Sequence, residues 1–299
     1  MELTRRVVTN VAKPEGTYAP MGQLIRCANI RARATATSRP RTPTRSIRPP
    51  SSTSATSRGC SAYVLLPFLD GWTNVFAVPG KPTTGTEAQT YVVTGPGWSG
   101  AVPAGMTELK SPTALVWLLG RIYCTGMPKA YAAVHALQDA FKLQPLSTWG
   151  KTYAPPEGEV DPAIDMKTAV RDQVNRLSTA AYLTLLAELM KRNPPAAADA
   201  SALKRFEAIG LAAGKSFDVT TLDARWDARL PQLSYDRIML HLATLKRENG
   251  WLFTTQTGLY GTDYPITSPR PGSPSSHPAH RRFRLGIRSR RTRRRSRRD

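Results

Sequence analysis

Seven residues in turn-rich stretches of this 299-residue chain have the types to bind or transform a polar molecule: Asp70, Trp72, Asn74, Trp98, Arg121, Tyr260 and Asp263. Aromatic faces beside carboxylate, amide and guanidinium groups suit a sugar or another polar organic ligand. Two carboxylates such as Asp70 and Asp263, at the right separation, also serve acid–base hydrolysis. The plainer alternative is structural. Tryptophans pack cores, and Asp or Asn in a glycine-rich stretch bonds its own turn; Asp263 in YGTD reads equally well that way. No catalytic residue is assigned.

Metal and cofactor signals are weak. His135 and Asp139 stand four residues apart on an expected helix, the spacing of a two-ligand face, but no third ligand lies nearby. Such a pair is more often a surface contact. His241 has no His or carboxylate at helical spacing, and His277 and His280 lie in a low-complexity tail. Neither Cys27, Cys60 nor Cys124 forms a metal or disulfide pattern. The GPGWSG stretch at 95–100 contains Pro and precedes no clear helix, so it reads as a turn instead of a phosphate cradle. No G-x-S-x-G elbow is present. No metal and no cofactor is expected.

The elements that would position these residues change character along the chain. A short element at Leu3–Val11 precedes a Pro/Gly loop. YVLLPFLDGWTNVFAV (63–78) reads as strand, turn, strand with Asp70-Gly71 at the turn. Tyr91–Thr94 is a further strand, and Leu115–Cys124 is strand-like because Gly120 weakens a helix. Helical periodicity then takes over across about 127–249. Tyr131, Val134, Leu137 and Phe141 share a face after Pro128. A helix is expected from about Met166 to Leu177. Ser178 is expected to cap the next, with Tyr182, Leu185, Leu186 and Leu189 as its apolar stripe, ended by Pro194-Pro195. Ser201 is expected to cap a short helix closed at Gly210. Ile238, Leu242 and Leu245 mark a last helix ending at Asn249-Gly250, before a strand at Trp251–Thr255. The fold class expected is α+β, with β-sandwich-like strands and a helical portion.

The net charge of +21 would ordinarily point to a nucleic-acid or membrane-surface partner. Its distribution says otherwise. Residues 25–60 carry +8 and residues 265–299 carry +11, whereas residues 61–264 carry only +1. The two basic segments hold twenty Arg and no Lys, although the rest of the chain has eleven Lys. They are otherwise mostly Pro, Ser, Thr and Ala, the residues that a GC-rich gene specifies when it is read out of phase. Four regions follow: an N-terminal fragment (1–24), a disordered segment (25–60), a core (61–264) and a disordered Arg-rich tail (265–299). The tail's Arg288, Arg290, Arg291, Arg293, Arg294 and Arg295 can hold phosphates non-specifically, with steep salt dependence. Phe283 is the only aromatic nearby, which leaves base stacking without a platform. No apolar run is long enough to span a membrane, and MELTRRVVTN has no apolar export core.

Residues 63–264 resemble the domain-of-unknown-function 1254 (DUF1254) family. The carrying stretches are LDGWTNVFAVPGKPTTGT (69–86), TGPGWSGAVPAG (94–105), SPTALVWLLGRIYCTG (111–126), AVHALQDAFKLQPLS (133–147), DMKTAVRDQVNRL (165–177), LLAELMKRNPPAAADA (185–200) and TGLYGTDY (257–264). TNVAKPEGT (9–17) is similar to the family as well. Between these the family carries a stretch like V-T-A-P-N-A-D-T-L-Y-S. With suitable synonymous codons, the N-A-D-T-L-Y-S reading shifted by one base spells T-P-T-R-S-I-R, which is Thr42–Arg48. The V-T-A-P reading shifts to S-R-P-R, which is Ser38–Arg41. The resemblance therefore implies a frameshift across 26–60 and after 264, and a chain incomplete relative to a family that continues into a second domain of the 1214 type. It implies a periplasmic or secreted fold of β-sandwich units with a helical portion, and no established activity. The functional expectation is an exported binding or structural protein without demonstrable activity in this chain. The alternatives are a hydrolase of a polar organic or carbohydrate substrate, and non-specific nucleic-acid binding through the tail.

Overall fold

The chain opens on α1 (Glu2–Thr9), whose first-turn Glu2 is buried and receives Arg5 at 2.6 Å and Arg6 at 2.9 Å. A carboxylate there also faces the positive end of the helix. The computed structural model describes residues 1–25, 63–125, 127–218, 220, 230–236 and 248–249. It also gives the backbone course of 52–57, 237–243, 246–247, 251–253 and 287–288. After α1 the chain is stitched to a distant loop. Asn10 accepts from the Asp161 amide at 2.6 Å and donates to its carbonyl at 3.0 Å, and Gly158 donates to the Ala12 carbonyl.

The β-rich half is a set of small sheets. One has four strands in the order β6 (Thr107–Lys110), β5 (Gln89–Thr94), β1 (Ser52–Ser57) and β9 (Lys142–Pro145), with only β5 and β6 parallel. Another sets β3 (Phe68–Leu69) between β4 (Val75–Ala77) and β7 (Trp117–Leu118). A two-stranded ladder pairs β2 (Val64–Leu65) with β8 (Arg121–Ile122). Val64, Leu66, Phe68, Val93, Val116 and Leu118 form one buried core, onto which Phe141 and Leu137 pack. These residues alternate along their strands, so period-two patterning selects the core face.

The strand at Ser52–Ser57 lies where the sequence leads one to expect no order. It fills an antiparallel slot between β5 and β9. Backbone ladders ask little of side chains, and this stretch contains no Pro to interrupt them.

The helical half comprises α2 (Pro128–Ala140), α3 (Val170–Asn175), α4 (Thr179–Arg192), α5 (Ala200–Glu207) and α6 (Leu230–Ala243). Pro128 sits at the start of α2, where its missing N–H costs nothing. Ser178 caps α4 by accepting from the Ala181 amide at 3.2 Å. A second core gathers Leu183, Ala187, Met190, Leu211 and Phe217. The buried line of α4 is therefore Thr179, Leu183, Ala187 and Met190, rotated from the expected stripe. Tyr182 and Leu186 flank that core, and the small Ala187 occupies its centre. Two further expectations are corrected. Ser201 lies inside α5, which begins at Ala200 behind Asp199. Asn249 does not close a helix. With φ +49° it makes the turn between β10 (Lys246–Glu248) and β11 (Trp251–Phe253), and α6 ends earlier. Gly210 does take the left-handed conformation, at φ +78°. β11 also pairs with β12 (Ile287–Arg288). The architecture is thus mixed α+β, as expected, in several small sheets beside a helical portion.

Candidate functional site

Asp70 sits at the end of β3 and is only 4% exposed. Its Oδ1 accepts from the Trp72 amide at 2.9 Å and the Asn74 amide at 2.8 Å, and its Oδ2 accepts from Asn74 Nδ2 at 3.1 Å. Asp70 and Asn74 thus serve one loop. That loop carries Thr73 at φ +74°, a conformation disfavoured for a β-branched residue, and the carboxylate grips the amides on either side of it. The turn runs through Gly71–Thr73, one residue further than the Asp70-Gly71 pair suggests.

Trp72 faces the helices. Its indole donates to the Asn193 carbonyl at 3.1 Å and packs against the core around Leu183. Asn193, buried at the end of α4, returns the contact. Its Oδ1 accepts from the Leu115 amide at 3.0 Å while its Nδ2 donates to the Leu189 carbonyl. Thr113 completes the joint, accepting from the Gly71 amide at 2.7 Å and donating to the Leu115 carbonyl. A Cβ on Gly71 would lie 3.0 Å from Asn193 Oδ1, so this approach favours glycine. Three of the seven candidates therefore form a clasp between the strand core and the helical core.

The other candidates are dispersed. Trp98 lies over Gly100 of its own loop, where any Cβ would strike the indole. Arg121 is exposed on β8 and joins none of the ion pairs among the described residues. Tyr260 and Asp263 lie outside the described residues, as do Arg290, Arg291, Arg293, Arg294 and Arg295; Arg288 is described only in its backbone, on β12.

A cavity of about 970 Å³ opens elsewhere, between the N-terminal segment at 14–25 and the chain from 139 to 155. Glu15, Gln23, Asp139, Lys142, Lys151 and Tyr153 are among its lining residues. Gln23 is braced by donating to the Pro156 carbonyl at 2.7 Å. Sequence reasoning does not find this cavity, because its walls come from segments more than a hundred residues apart. Only Asp139 drew notice, as a partner of His135. Among the described residues no group of three or more His, Cys, Asp or Glu is placed to hold a metal. No helix among them is long and apolar enough to cross a membrane.

Residues 57–145 match the model of the family described as Protein of unknown function (DUF1254), the family that the quoted motifs resemble. No curated protein matches the chain. Among solved structures, the crystal structure of the VPA0106 protein from Vibrio parahaemolyticus is similar, with a TM-score of 0.50 and 18% identity over 73% of this chain. The chain spans about half of that protein, 52% of its length. At this identity the likeness concerns the fold.

Proposed function

We propose that this chain is a binding protein for a polar organic molecule, with the cavity between 14–25 and 139–155 as its site. The carrying observation is that cavity, which has the volume of a small-molecule site and a lining of ammonium, carboxylate, amide and phenol groups. Asp70, the carboxylate considered for hydrolysis, lies outside this cavity and has both oxygens committed to holding its turn. Titrating a panel of neutral and acidic oligosaccharides by calorimetry tests this. A ligand of the panel whose saturable binding is weakened by Lys142→Ser or Tyr153→Ala supports it, and the absence of any such ligand overturns it.

The family match begins at residue 57, close to the end of the stretch (26–60) read as frame-shifted. This supports reading the basic stretch before it, and by composition the tail after 264, as frame-shifted flanks of a family core. Sequencing the gene tests the reading. A one-base insertion or deletion near codon 26 is expected, with the N-A-D-T-L-Y-S frame beneath it; an uninterrupted frame would refute it. The +21 charge is then a property of the flanks. Deleting 265–299 should weaken any DNA retention at low salt, and retention unchanged by the deletion would place that binding elsewhere.

A further inference from the structure

The two-stranded ladder of β2 and β8 has two faces of opposite character. Val64 and Ile122 are cross-strand partners, and both turn toward the strand core. Alternation puts Tyr63, Leu65, Arg121 and Tyr123 on the other face, where Leu65 is buried and the exposed surface is that of Tyr63, Arg121 and Tyr123. Leu65 pairs with Arg121, and the ladder runs one step further, the Tyr123 amide donating to the Tyr63 carbonyl at 2.9 Å. The two tyrosines therefore stand directly opposite each other. Cross-strand neighbours of this kind have Cβ atoms about 5 Å apart. Tyr63 is 39% exposed and Tyr123 67% exposed, although burial of aromatic area is a main gain of folding. Arg121, one pair along, is exposed and has no carboxylate partner among the described residues.

We propose that this outer face is a binding platform for an acidic saccharide. The tyrosine rings offer flat apolar surface for the C–H face of a pyranose. The guanidinium beside them offers the planar, two-pronged donor that a sugar carboxylate accepts. The charge complementarity is what selects an acidic sugar over a neutral one, because rings alone would take either. The platform shares no residue with the cavity lining, so it stands independently of the site proposed above.

The test titrates the full chain with trigalacturonate and, separately, with neutral maltotriose, by calorimetry and by NMR. Trigalacturonate is expected to bind more tightly than maltotriose. Arg121→Gln is expected to weaken trigalacturonate by about tenfold, the usual scale for a lost charge-assisted contact, while leaving maltotriose unchanged. Tyr123→Ala should weaken both. Arg121→Lys should recover only part of the loss, since an ammonium lacks the fork. Thermal unfolding of each variant checks that it folds, and NMR line positions on the intact chain report the contact without mutation. Trigalacturonate binding that is insensitive to Arg121→Gln and Tyr123→Ala overturns the proposal. Loss of that binding in Lys142→Ser alone would assign the sugar to the cavity and equally overturn it.

Discussion

Asp70 and Arg121 present the same ingredients, a charged group with aromatic neighbours in a turn-rich stretch, at the ends of two short strands. Their surroundings separate them. Asp70 is buried, and its oxygens are filled by amides of its own loop. Trp72 beside it is drawn inward to the end of α4. Arg121 is exposed, and the tyrosines beside it face outward from a ladder whose other side feeds the core. A carboxylate that must stay desolvated needs donors, and the nearest are backbone amides; an exposed guanidinium is solvated by water and can wait for a ligand. The first arrangement makes structure and the second leaves chemistry available.

The largest break in this comparison is expected from the core that both regions stand on. Phe68, 1% exposed, should cost about 3–5 kcal/mol when changed to Ala, read from denaturant unfolding. Asp70→Ala should cost about 1–3 kcal/mol by leaving loop donors unpaired. It should also lower hydrogen-exchange protection at Trp72 and Asn74, whereas unchanged exchange there would contradict its structural role.

A smaller effect is expected at Glu2. Burial pushes its carboxyl up, but the bonds from Arg5 and Arg6 together outweigh burial and hold it below the ordinary value. A depressed folded value means that its contribution is complete above the unfolded Glu range and is lost as pH falls through the folded one. The stability gap between the native chain and Glu2→Gln should therefore narrow on acidification below the usual carboxylate range, and a gap independent of pH would refute the pairing. The smallest expected change is that of Arg121→Gln on stability, within about 0.5 kcal/mol, because its exposed guanidinium joins no ion pair among the described residues. A larger loss would move Arg121 to the structural side of the comparison.

Sequence alone determined a good deal here. Period-two and helical patterning located the strand pairs at 63–78, the strand at 91–94 and the helices after Pro128 and Ser178, because burial of one face imposes its own spacing. The quoted motifs pointed to the family whose model matches residues 57–145, and charge counting separated a neutral core from basic flanks. Tertiary structure alone decided which way each candidate faces. Asp70, Trp72 and Asn74 became a clasp because Asn193, more than a hundred residues away, folds against them. The cavity walls are likewise joined by long-range bonds such as that from Gln23 to the Pro156 carbonyl. A strand at 52–57 formed without apolar alternation, because its neighbours supply a backbone slot. Such contacts depend on distance in space, and residue type or local spacing does not encode them.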